Sequence, residues 1–333
     1  MTRIKCTHSY QDVISVENLL EAWKEFIINK RGRKDVQDFS RHLMENIISL
    51  YTDLASKNYQ HLGYEAFSIN DPKPRNIHKA SVRDRLLHHA VYRVLYSFFS
   101  RTFINDSYSC QKGKGVHRAM KRFKVVSRKV SVNYAKTLWV LKCDIKKFFA
   151  SIDHKILLKI IDGYVLDKDI VRLIEKIVSS FCSTEAGVGL PLGNLTSQLL
   201  VNIYMNEFDQ YVKHKLKAKH YIRYADDFVL MSTSKIMLQN YLELIKVFLQ
   251  EELKLQLHPD KVSIKTLASG VDFLGWVHFP HHRVLRTTTK RRMFRRIIEK
   301  DGKRETVQSY LGMLSHGNGY KLQKQIVDLT GDQ

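Results

Sequence analysis

The chain has 333 residues, and 44% of them are hydrophobic, which is enough for a large core or for two to three subdomains. It carries 55 Lys and Arg against 33 Asp and Glu, a net charge of +22, and this excess predicts a polyanionic partner, most simply nucleic acid. A membrane surface is the rival partner, but no apolar run approaches the ~20 residues of a membrane span, and no basic amphipathic helix stands alone.

The cysteine pattern and the N-terminus indicate the cellular compartment. Four cysteines are scattered along the chain without a Cys-x-x-Cys pair, so neither a zinc site nor a disulfide framework is predicted. The first residues are polar and lack the apolar core of a signal peptide. Together these features predict a cytoplasmic protein.

The N-terminal third shows mainly helical periodicity. Apolar residues at helical spacing predict two helices within residues 10–50, joined by a basic turn at residues 29–34. A longer helix is predicted over residues 82–103. A short hairpin, from residues 64–69 and 76–79, is predicted to come before it.

A basic stretch follows at residues 106–129. Its glycines, Gly113 and Gly115, let the backbone approach a ligand closely. The Gly-Lys-Gly sequence lacks the spacing and the Ser or Thr of a Walker loop. Three cations in this stretch are predicted to contact phosphates: Lys112, Lys114 and Arg118.

A predicted strand at residues 138–143 runs directly into Asp144. Phe148, Phe149 and Ile152 follow at helix-like spacing. A strand, a carboxylate and a helix in this order present the acid at the end of the strand. Asp144 is therefore a candidate for a catalytic or metal-binding carboxylate.

Two adjacent acids, Asp226 and Asp227, interrupt an apolar, β-branched run in the sequence Tyr-Ala-Asp-Asp, which predicts a hairpin with the acids at its turn. A solvated turn is the plainer interpretation, because Asp is common in turns. With Asp144 nearby, however, three carboxylates suit hard divalent cations such as Mg²⁺, and the carbonyl of Ile145 adds a further oxygen. Two such ions would support nucleotidyl transfer.

The remaining elements are a glycine-proline turn, helices and a strand pair. The turn spans residues 187–193, and helices are predicted over residues 196–211 and 235–253. A strand pair is predicted over residues 270–278. From residue 287 the composition becomes basic on one helix, which is expected to grip a nucleic-acid backbone.

Four of these blocks resemble, in order, the motifs of reverse transcriptases. They are Asp-Ile-Lys-Lys-Phe-Phe from residue 144, Gly-Leu-Pro-Leu-Gly-Asn-Leu-Thr-Ser-Gln from residue 189, Tyr-Ala-Asp-Asp from residue 224 and Phe-Leu-Gly-Trp from residue 273. The resemblance covers about residues 70 to 325. It implies an α+β, right-hand polymerase fold with fingers, a palm whose antiparallel sheet carries the Tyr-Ala-Asp-Asp hairpin, and a helical thumb.

The expected segments are residues 1–137 for the N-terminal helices and fingers, 138–284 for the palm and 285–333 for the thumb. The implied activity is RNA-directed DNA synthesis with two Mg²⁺ ions, template RNA, the RNA/cDNA duplex and deoxynucleoside triphosphates. No separate endonuclease or RNase H domain is expected in the remaining residues.

The resemblance also implies individual roles. Asp144, Asp226 and Asp227 would be catalytic, and with the carbonyl of Ile145 they would hold the metal ions. Residues expected to contact the incoming nucleotide are Lys73, Arg75, Phe149, Leu192, Gly193 and Lys261. Residues expected to contact nucleic acid are Lys112, Lys114, Arg118, Gly275, Trp276, Arg291, Arg292 and Arg295.

Plain structural roles stay open for some of these side chains. Lys73 and Arg75 lie next to prolines, where surface charges are common. Phe149 and Trp276 are large enough to be core aromatics, and Lys261 is as compatible with a surface lysine as with a proton donor to the leaving pyrophosphate.

Leu192 departs from the usual pattern, because most reverse transcriptases have Gln before Gly193 and Ser-Pro where this chain has Ser197-Gln198. An aliphatic side chain cannot make the polar contacts of Gln, which predicts relaxed fidelity. The pattern resembles the reverse transcriptases of diversity-generating retroelements, which miscopy template adenines and work with a small basic accessory variability determinant protein. Antiphage-defence and retron-like enzymes are the alternative, and a non-catalytic RNA-binding scaffold with the same fold is a third.

Overall fold

The computed structural model describes residues 4–70, 74–183 and 185–330, and both helices and antiparallel strands are present. The chain divides into two compact units that are each discontinuous in sequence. The first unit comprises the residues up to Ile104, Lys146–Tyr211 and Phe248–Gln256. The second unit comprises Asn105–Ile145, Val212–Val247 and the residues from Leu257 onward. The expected segment boundaries after residues 137 and 284 stay predictions.

Thirteen α-helices lie within the described residues, with short 3₁₀ and π turns between some of them. The helices are α1 (Tyr10–Ile14), α2 (Val16–Phe26), α3 (Lys34–Arg41), α4 (Leu43–Ala55), α5 (Val82–Phe99), α6 (Val116–Val130), α7 (His154–Asp162), α8 (Lys168–Ser179), α9 (Leu195–Gln210), α10 (Lys235–Leu253), α11 (Thr287–Glu299), α12 (Arg304–Leu314) and α13 (Tyr320–Thr330).

The described strands form three antiparallel sheets. The strands are β1 (Tyr64–Ile69), β2 (Arg75–Ala80), β3 (Trp139–Asp144), β4 (Tyr221–Tyr224), β5 (Asp227–Ser232), β6 (Ser263–Thr266), β7 (Val271–Phe273), β8 (Trp276–His278) and β9 (Arg283–Leu285). The first sheet is the β1–β2 hairpin, the second has the order β4-β5-β3-β6, and the third has the order β7-β8-β9.

The prediction of two helices in residues 10–50 is wrong, because the chain forms four helices there. Ser9 caps α1 in a reciprocal capping box with Asp12, and Ser15 ends α1 and caps α2. His42, with φ −118° and ψ 40°, separates α3 from α4. These capping residues interrupt an apolar periodicity that continues across them.

Other predicted elements match the structure closely. The hairpin of β1 and β2, the strand pair of β7 and β8, and the helix α10 are confirmed. The helix predicted over residues 82–103 ends at Phe99, because the next amides, of Arg101 and Thr102, bond to carbonyls three residues back, those of Phe98 and Phe99, in place of the helical i→i−4 pattern.

In the first unit, α5 packs against α2 and α9 and buries a run of leucines and valines. A buried polar network anchors its start. The carboxylate of Asp84 accepts hydrogen bonds from the hydroxyls of Ser81 at 2.6 Å and Tyr59 at 2.7 Å, and from the amide of Leu62 at 3.2 Å. These bonds satisfy a carboxylate whose side chain is otherwise removed from solvent.

In the second unit, α6 packs on β4 and β5. The core between them is built from Phe123 of α6, Val140 of β3, Ile222 of β4 and Val229 of β5, all of which are buried. The near-continuous apolar composition of β5 is typical of a fully buried strand. None of the described helices is long and apolar enough to cross a membrane.

Candidate active site

The β4–β5 hairpin carries the adjacent acids on a two-residue turn. Tyr224 pairs with Asp227, so Ala225 and Asp226 form the turn and Asp227 is the first residue of β5. The prediction that both acids occupy the turn therefore holds for Asp226 only. Ala225 has φ +55°, in the left-handed range, where a residue with a Cβ costs about 1–2 kcal/mol.

A buried arginine supports this turn, and sequence reasoning missed it. The side chain of Arg223 is 1% exposed, and its guanidinium donates to the carbonyl of Ala225 at 3.1 Å. The main chain of Arg223 is also bonded to Asp106 and Tyr108. The sequence of β4 does not alternate between apolar and polar residues, and an arginine is ordinarily exposed, so no sequence signal pointed to the burial of Arg223.

Asp144 is the last residue of β3 and stands in register with Asp227 on β5. Side chains directly opposite one another on neighbouring strands lie about 4.5–5.5 Å apart at Cβ, and like charges there repel. The fold therefore brings two of the three predicted carboxylates together. Asp226 lies one residue before Asp227, and its carbonyl accepts a hydrogen bond from the amide of Ile145 at 3.1 Å.

Two lysines compensate this negative charge. The ammonium of Lys261 lies 2.7 Å from Oδ1 of Asp144, and that of Lys142 lies 3.7 Å from Oδ2 of Asp227. Lys261 is thus placed at the carboxylates, as its predicted role requires. Lys142 was not predicted, although its position two residues before Asp144 on the same strand puts it on the same face of the sheet.

Asp227 is the most strongly perturbed of the acids. Burial raises the pKa of Asp227 to about 7, the charges of Asp144, Asp226 and Asp272 add to the rise, and Lys142 opposes it. Its Oδ1 atom is buried and has no hydrogen-bond partner among the residues that the structure describes. A buried carboxylate oxygen without a partner is costly, so this atom is suited to bind a cation.

The donor set fits divalent cations that also bind substrate. Within residues 4–70, 74–183 and 185–330, no three His, Cys, Asp or Glu side chains form a complete metal-binding group. Mg²⁺ does not require one, because it is usually bound by one or two carboxylates together with water and substrate phosphates. Asp144 and Asp227 meet that requirement, and the unpartnered Oδ1 of Asp227 supports it.

Removing the charge of Asp227 is expected to stabilise the protein when divalent ions are chelated. The folded-state pKa of about 7 exceeds the ordinary value of 3.8, so between these pH values the folded chain keeps a proton that the unfolded chain loses. The stability contributed by this group is therefore full below about pH 4 and is lost as the pH rises through 7. Asp227→Asn should raise the free energy of unfolding at pH 8 by roughly 1–3 kcal/mol, measured by urea denaturation in EDTA.

Asp144→Asn is the matched control, because it removes the same charge from the opposite strand but also breaks the contact with Lys261. We expect this variant to gain no stability. Equal stabilisation by the two substitutions, or a loss in Asp227→Asn, would contradict the assignment of Asp227 as the strained carboxylate.

The β7–β8 turn is formed by Leu274 and Gly275, with φ +52° and +86°. Trp276 follows and is 4% exposed, with its ring packed against Gly317, where a Cβ atom would stand 2.0 Å from Cζ3. The guanidinium of Arg283 lies over the same ring at 5.7 Å from its centroid. The side chain of Trp276 is therefore a core aromatic. A contact with nucleic acid at this turn would have to come from the main chain of Gly275.

In the first unit, the glycine-proline turn is bonded to the β1–β2 hairpin. The amide of His78 on β2 donates to the carbonyl of Leu192 at 3.0 Å, and the side chain of Asn194 donates to the carbonyl of His78 at 3.1 Å. A Cβ atom on Gly193, which has φ +106°, would stand 2.9 Å from Ile77. Arg75 begins the same strand β2, and Lys73 lies outside the described residues.

Phe149 belongs to the first unit and lies in a 3₁₀ turn, Phe148–Ser151. Its ring is half-buried and meets the buried ring of Phe148 edge-on at 5.6 Å. The carbonyl of Phe149 accepts a hydrogen bond from Leu190 at 2.8 Å, which links it to the turn that carries Leu192. The structure thus joins Phe149, Leu192, Gly193 and Arg75 in one unit, and Asp144, Asp226, Asp227 and Lys261 in the other.

The predicted phosphate contacts lie on two elements of the second unit. Lys112 and Arg118 are exposed around the start of α6, whereas the ammonium of Lys114 donates to the carbonyls of Asn105 and Ser107 at 2.9 and 2.8 Å. Lys114 therefore has a structural role as well. The other candidates, Arg291, Arg292 and Arg295, lie on α11, which buries Met293 and Ile297 on its opposite side.

Neutralising the three α11 arginines, Arg291, Arg292 and Arg295, should lower RNA/DNA duplex affinity and its salt dependence. Log affinity falls linearly with log salt by about 0.7–0.9 for each phosphate contact, so the slope should flatten by roughly 2–3. Filter binding across a salt series measures it. The control neutralises three exposed cations that all lie in the first unit: Lys24, Arg41 and Arg172. Equal slopes in wild type and the α11 variant would place the duplex elsewhere.

Comparisons with known proteins identify the family of the chain. The family model for reverse transcriptase (RNA-dependent DNA polymerase) matches residues 70–278. Protein YkfC of Escherichia coli K12 is 26% identical over 280 residues, covering 72% of this chain and 71% of that protein. The group II intron-encoded protein LtrA of Lactococcus lactis subsp. cremoris is 24% identical over 276 residues, covering 62% of this chain but only 45% of LtrA.

A solved structure shares the fold at much lower identity. This structure is that of telomerase from Candida albicans in complex with a fragment of telomeric RNA. The match covers 75% of this chain and 51% of the telomerase chain, with a TM-score of 0.50 and 11% sequence identity. The strands β3 and β5, which carry Asp144 and Asp227, lie within the part of the chain that the family model matches. Because that match covers more than half of the sequence, the chain belongs to the reverse transcriptase family of RNA-dependent DNA polymerases.

Proposed function

We propose that this chain copies a template RNA into cDNA, with Asp144, Asp226 and Asp227 as its catalytic carboxylates. The observation that carries the proposal is the in-register pair of Asp144 and Asp227, one of which has a buried oxygen without a partner. The pair lies on the central strands of a four-stranded sheet, so its geometry is fixed by the main-chain ladder rather than by mobile loops.

Two Mg²⁺ ions held by the three acids and the carbonyl of Ile145 would lower the pKa of the attacking hydroxyl and stabilise the charge of the triphosphate. The chain's own residues prepare this site. Burial and repulsion make Asp227 favour a bound cation, and Lys142 and Lys261 balance the acids while no cation is bound. Lys261, whose ammonium already reaches Asp144, is our candidate to donate a proton to the leaving pyrophosphate.

We also propose contacts for individual residues of the first unit. The turn at Leu192 and Gly193 is fixed to β2 by one main-chain hydrogen bond and by the side chain of Asn194, which holds the turn in place. We propose that this turn contacts the base pair being formed, that Arg75, or Lys73 in its place, binds the triphosphate, and that Phe149 selects the sugar.

Shortening Phe149 to Val should raise ribonucleotide incorporation, because a smaller side chain leaves room for the 2′-hydroxyl. We expect the preference for deoxynucleotides to fall by about tenfold or more, which corresponds to ~1.4 kcal/mol. The measurement is single-nucleotide incorporation with matched deoxy and ribo substrates. Phe149 is half-buried, so the fold should tolerate the change.

Phe148→Val is the control for that experiment. Phe148 is the buried partner of the pair, so its truncation should lower stability without changing sugar selection. If Phe149→Val also loses stability and leaves sugar selection unchanged, then Phe149 is a core residue and the assignment is wrong.

We further propose that the enzyme belongs to a diversity-generating retroelement, that it miscopies template adenines, and that it works with a small basic accessory protein. Leu192 in place of Gln supports this assignment, together with Ser197 and Gln198 in place of Ser-Pro. The antiphage-defence or retron-like enzyme is the second candidate, since it would share the same carboxylates, and the net charge of +22 suits RNA in both cases.

The product strand tests the proposed activity. The protein is incubated with an RNA template, a primer and all four deoxynucleoside triphosphates, and the products are then treated with alkali. Alkali destroys RNA, so an alkali-resistant strand that is longer than the primer and complementary to the template is the expected result. A protein that binds the template but yields no such strand would be an RNA-binding scaffold.

A further inference from the structure

The second unit contains a cavity of about 360 Å³ that none of the catalytic carboxylates lines. Its wall comes from α6, from the turn between β8 and β9, and from residues that follow α12. We call it the ring cavity, and the six side chains that define it are Lys124, Tyr134, Phe279, His281, His282 and Arg283.

The aromatic part of the ring cavity is held in place by pairs of rings. Phe279 and His282 are stacked, with centroids 4.8 Å apart and planes at 14°, and the amide of Phe279 donates to the carbonyl of His282 at 2.9 Å. Tyr134 meets His281 edge-on at 5.1 Å. His281 and His282 are exposed, yet each is restrained by a second ring. Such a wall loses little freedom when a planar ligand stacks on it.

The ring cavity also has two cations, Lys124 and Arg283, that no acid among the described residues neutralises. Lys124 is exposed and has no carboxylate or hydrogen-bond partner within the part of the chain that the structure describes. Nε of Arg283 donates to the carbonyl of His316, which fixes the guanidinium, and its two terminal nitrogens have no partner among the described residues. None of the described residues that line the cavity is Asp or Glu. The site therefore attracts an anion.

We propose that the ring cavity binds a nucleotide, with the base against the rings and the phosphate against Lys124 and Arg283. Its volume lies in the range of small-ligand sites. An apolar ligand would leave both cations unpaired. The charge of a polyphosphate would be only partly neutralised by these two cations. A planar base with one phosphate uses both kinds of group. Such a nucleotide is either a free mononucleotide or an unpaired residue of a bound RNA.

The proposal is tested by calorimetric titration in EDTA, with no primer and no divalent ion, so the result is independent of polymerase activity. Adenosine monophosphate is compared with adenosine, which lacks the phosphate, and with ribose phosphate, which lacks the base. Lys124→Met should weaken binding of the two phosphorylated probes by about tenfold and leave adenosine unchanged. His282→Ala should weaken the two probes that carry a base and leave ribose phosphate unchanged.

Lys129→Met is the matched control. Lys129 is an exposed lysine on the same helix, five residues further on and therefore about 140° around it, and it does not line the cavity. This variant should bind all three probes as the wild type does. An equal loss in Lys124→Met and Lys129→Met would show that only overall charge matters, and it would overturn the proposal.

Two further experiments locate the bound ligand and identify its source. Photolabelling with azidoadenosine monophosphate should modify peptides that carry Tyr134 or the turn from Phe279 to His282, and labelling confined to other peptides would overturn the site. Titration with a short oligoadenylate distinguishes the sources. If adenosine monophosphate binds and its binding depends on Lys124, the ligand is a free nucleotide. If only the oligoadenylate binds in a Lys124-dependent way, the ligand is a residue of RNA. Binding of neither probe would overturn the proposal.

Discussion

Asp226→Asn and Asp144→Asn should each abolish cDNA synthesis, lowering the rate on the order of a thousandfold, which corresponds to about 4 kcal/mol of activation barrier. Each change replaces a charged oxygen with a neutral amide of the same shape, so the hairpin and its ladder should persist. Single-turnover primer extension on an RNA template measures the effect. RNA binding should stay near the wild-type value, because neither residue is expected to contact the phosphate backbone.

Two lysine variants separate a loss of the metal ligands from a general change of charge. Lys142→Met and Lys261→Met leave all three acids in place but remove the ammonium groups beside them. Lys142→Met should retain synthesis at saturating Mg²⁺, and Lys261→Met should slow the chemical step without abolishing it. Undiminished polymerisation by Asp226→Asn would remove the hairpin from the catalytic mechanism.

The second large effect is expected on fidelity. Leu192→Gln should lower the error rate opposite template adenine by up to about tenfold, since ~1.4 kcal/mol of added discrimination is tenfold. The Leu192 carbonyl is bonded to β2 and its side chain is half-buried, so Gln can enter without moving the main chain. Sequencing of cDNA made from one defined RNA measures the change, and the greater effect at adenine follows from the resemblance to diversity-generating enzymes.

Leu195→Gln provides the matched comparison. Leu195 is a half-buried leucine three residues later, at the start of α9, and the same exchange there adds the same polar group at another position. This variant should keep the wild-type error spectrum. Equal adenine error rates in wild type and Leu192→Gln would remove Leu192 from the fidelity mechanism. A low wild-type adenine error rate with the native template and partner would favour the defence-type enzyme.

The order of the elements was predictable because hydrophobic periodicity and turn residues act locally. The strand that ends at Asp144, the hairpin of β1 and β2 and the helix α10 all follow from patterns within a few residues. The division of residues 10–50 into four helices does not follow from such patterns, because Ser15 and His42 end helices at points where the apolar pattern continues. Capping depends on single side chains and on the local main-chain conformation, which periodicity does not report.

The candidate site was predictable in its acids but not in its counter-charges. Two short motifs indicated Asp144, Asp226 and Asp227, because adjacent carboxylates in an apolar strand pattern are unusual. The pairing of Lys142 with Asp227 and the bond from buried Arg223 to the turn depend on strand register and on side-chain direction. Both contacts are tertiary properties, and the local patterns of a single sequence do not reveal them.

The most direct measurement is extension of a DNA primer on a defined RNA template by the wild-type protein, with Mg²⁺ and with EDTA. If the paired carboxylates of β3 and β5 form the active site of a reverse transcriptase, Mg²⁺ should support DNA synthesis that depends on the template sequence, and EDTA should stop it. Tight binding of primer and template without any extension in Mg²⁺ would contradict the account.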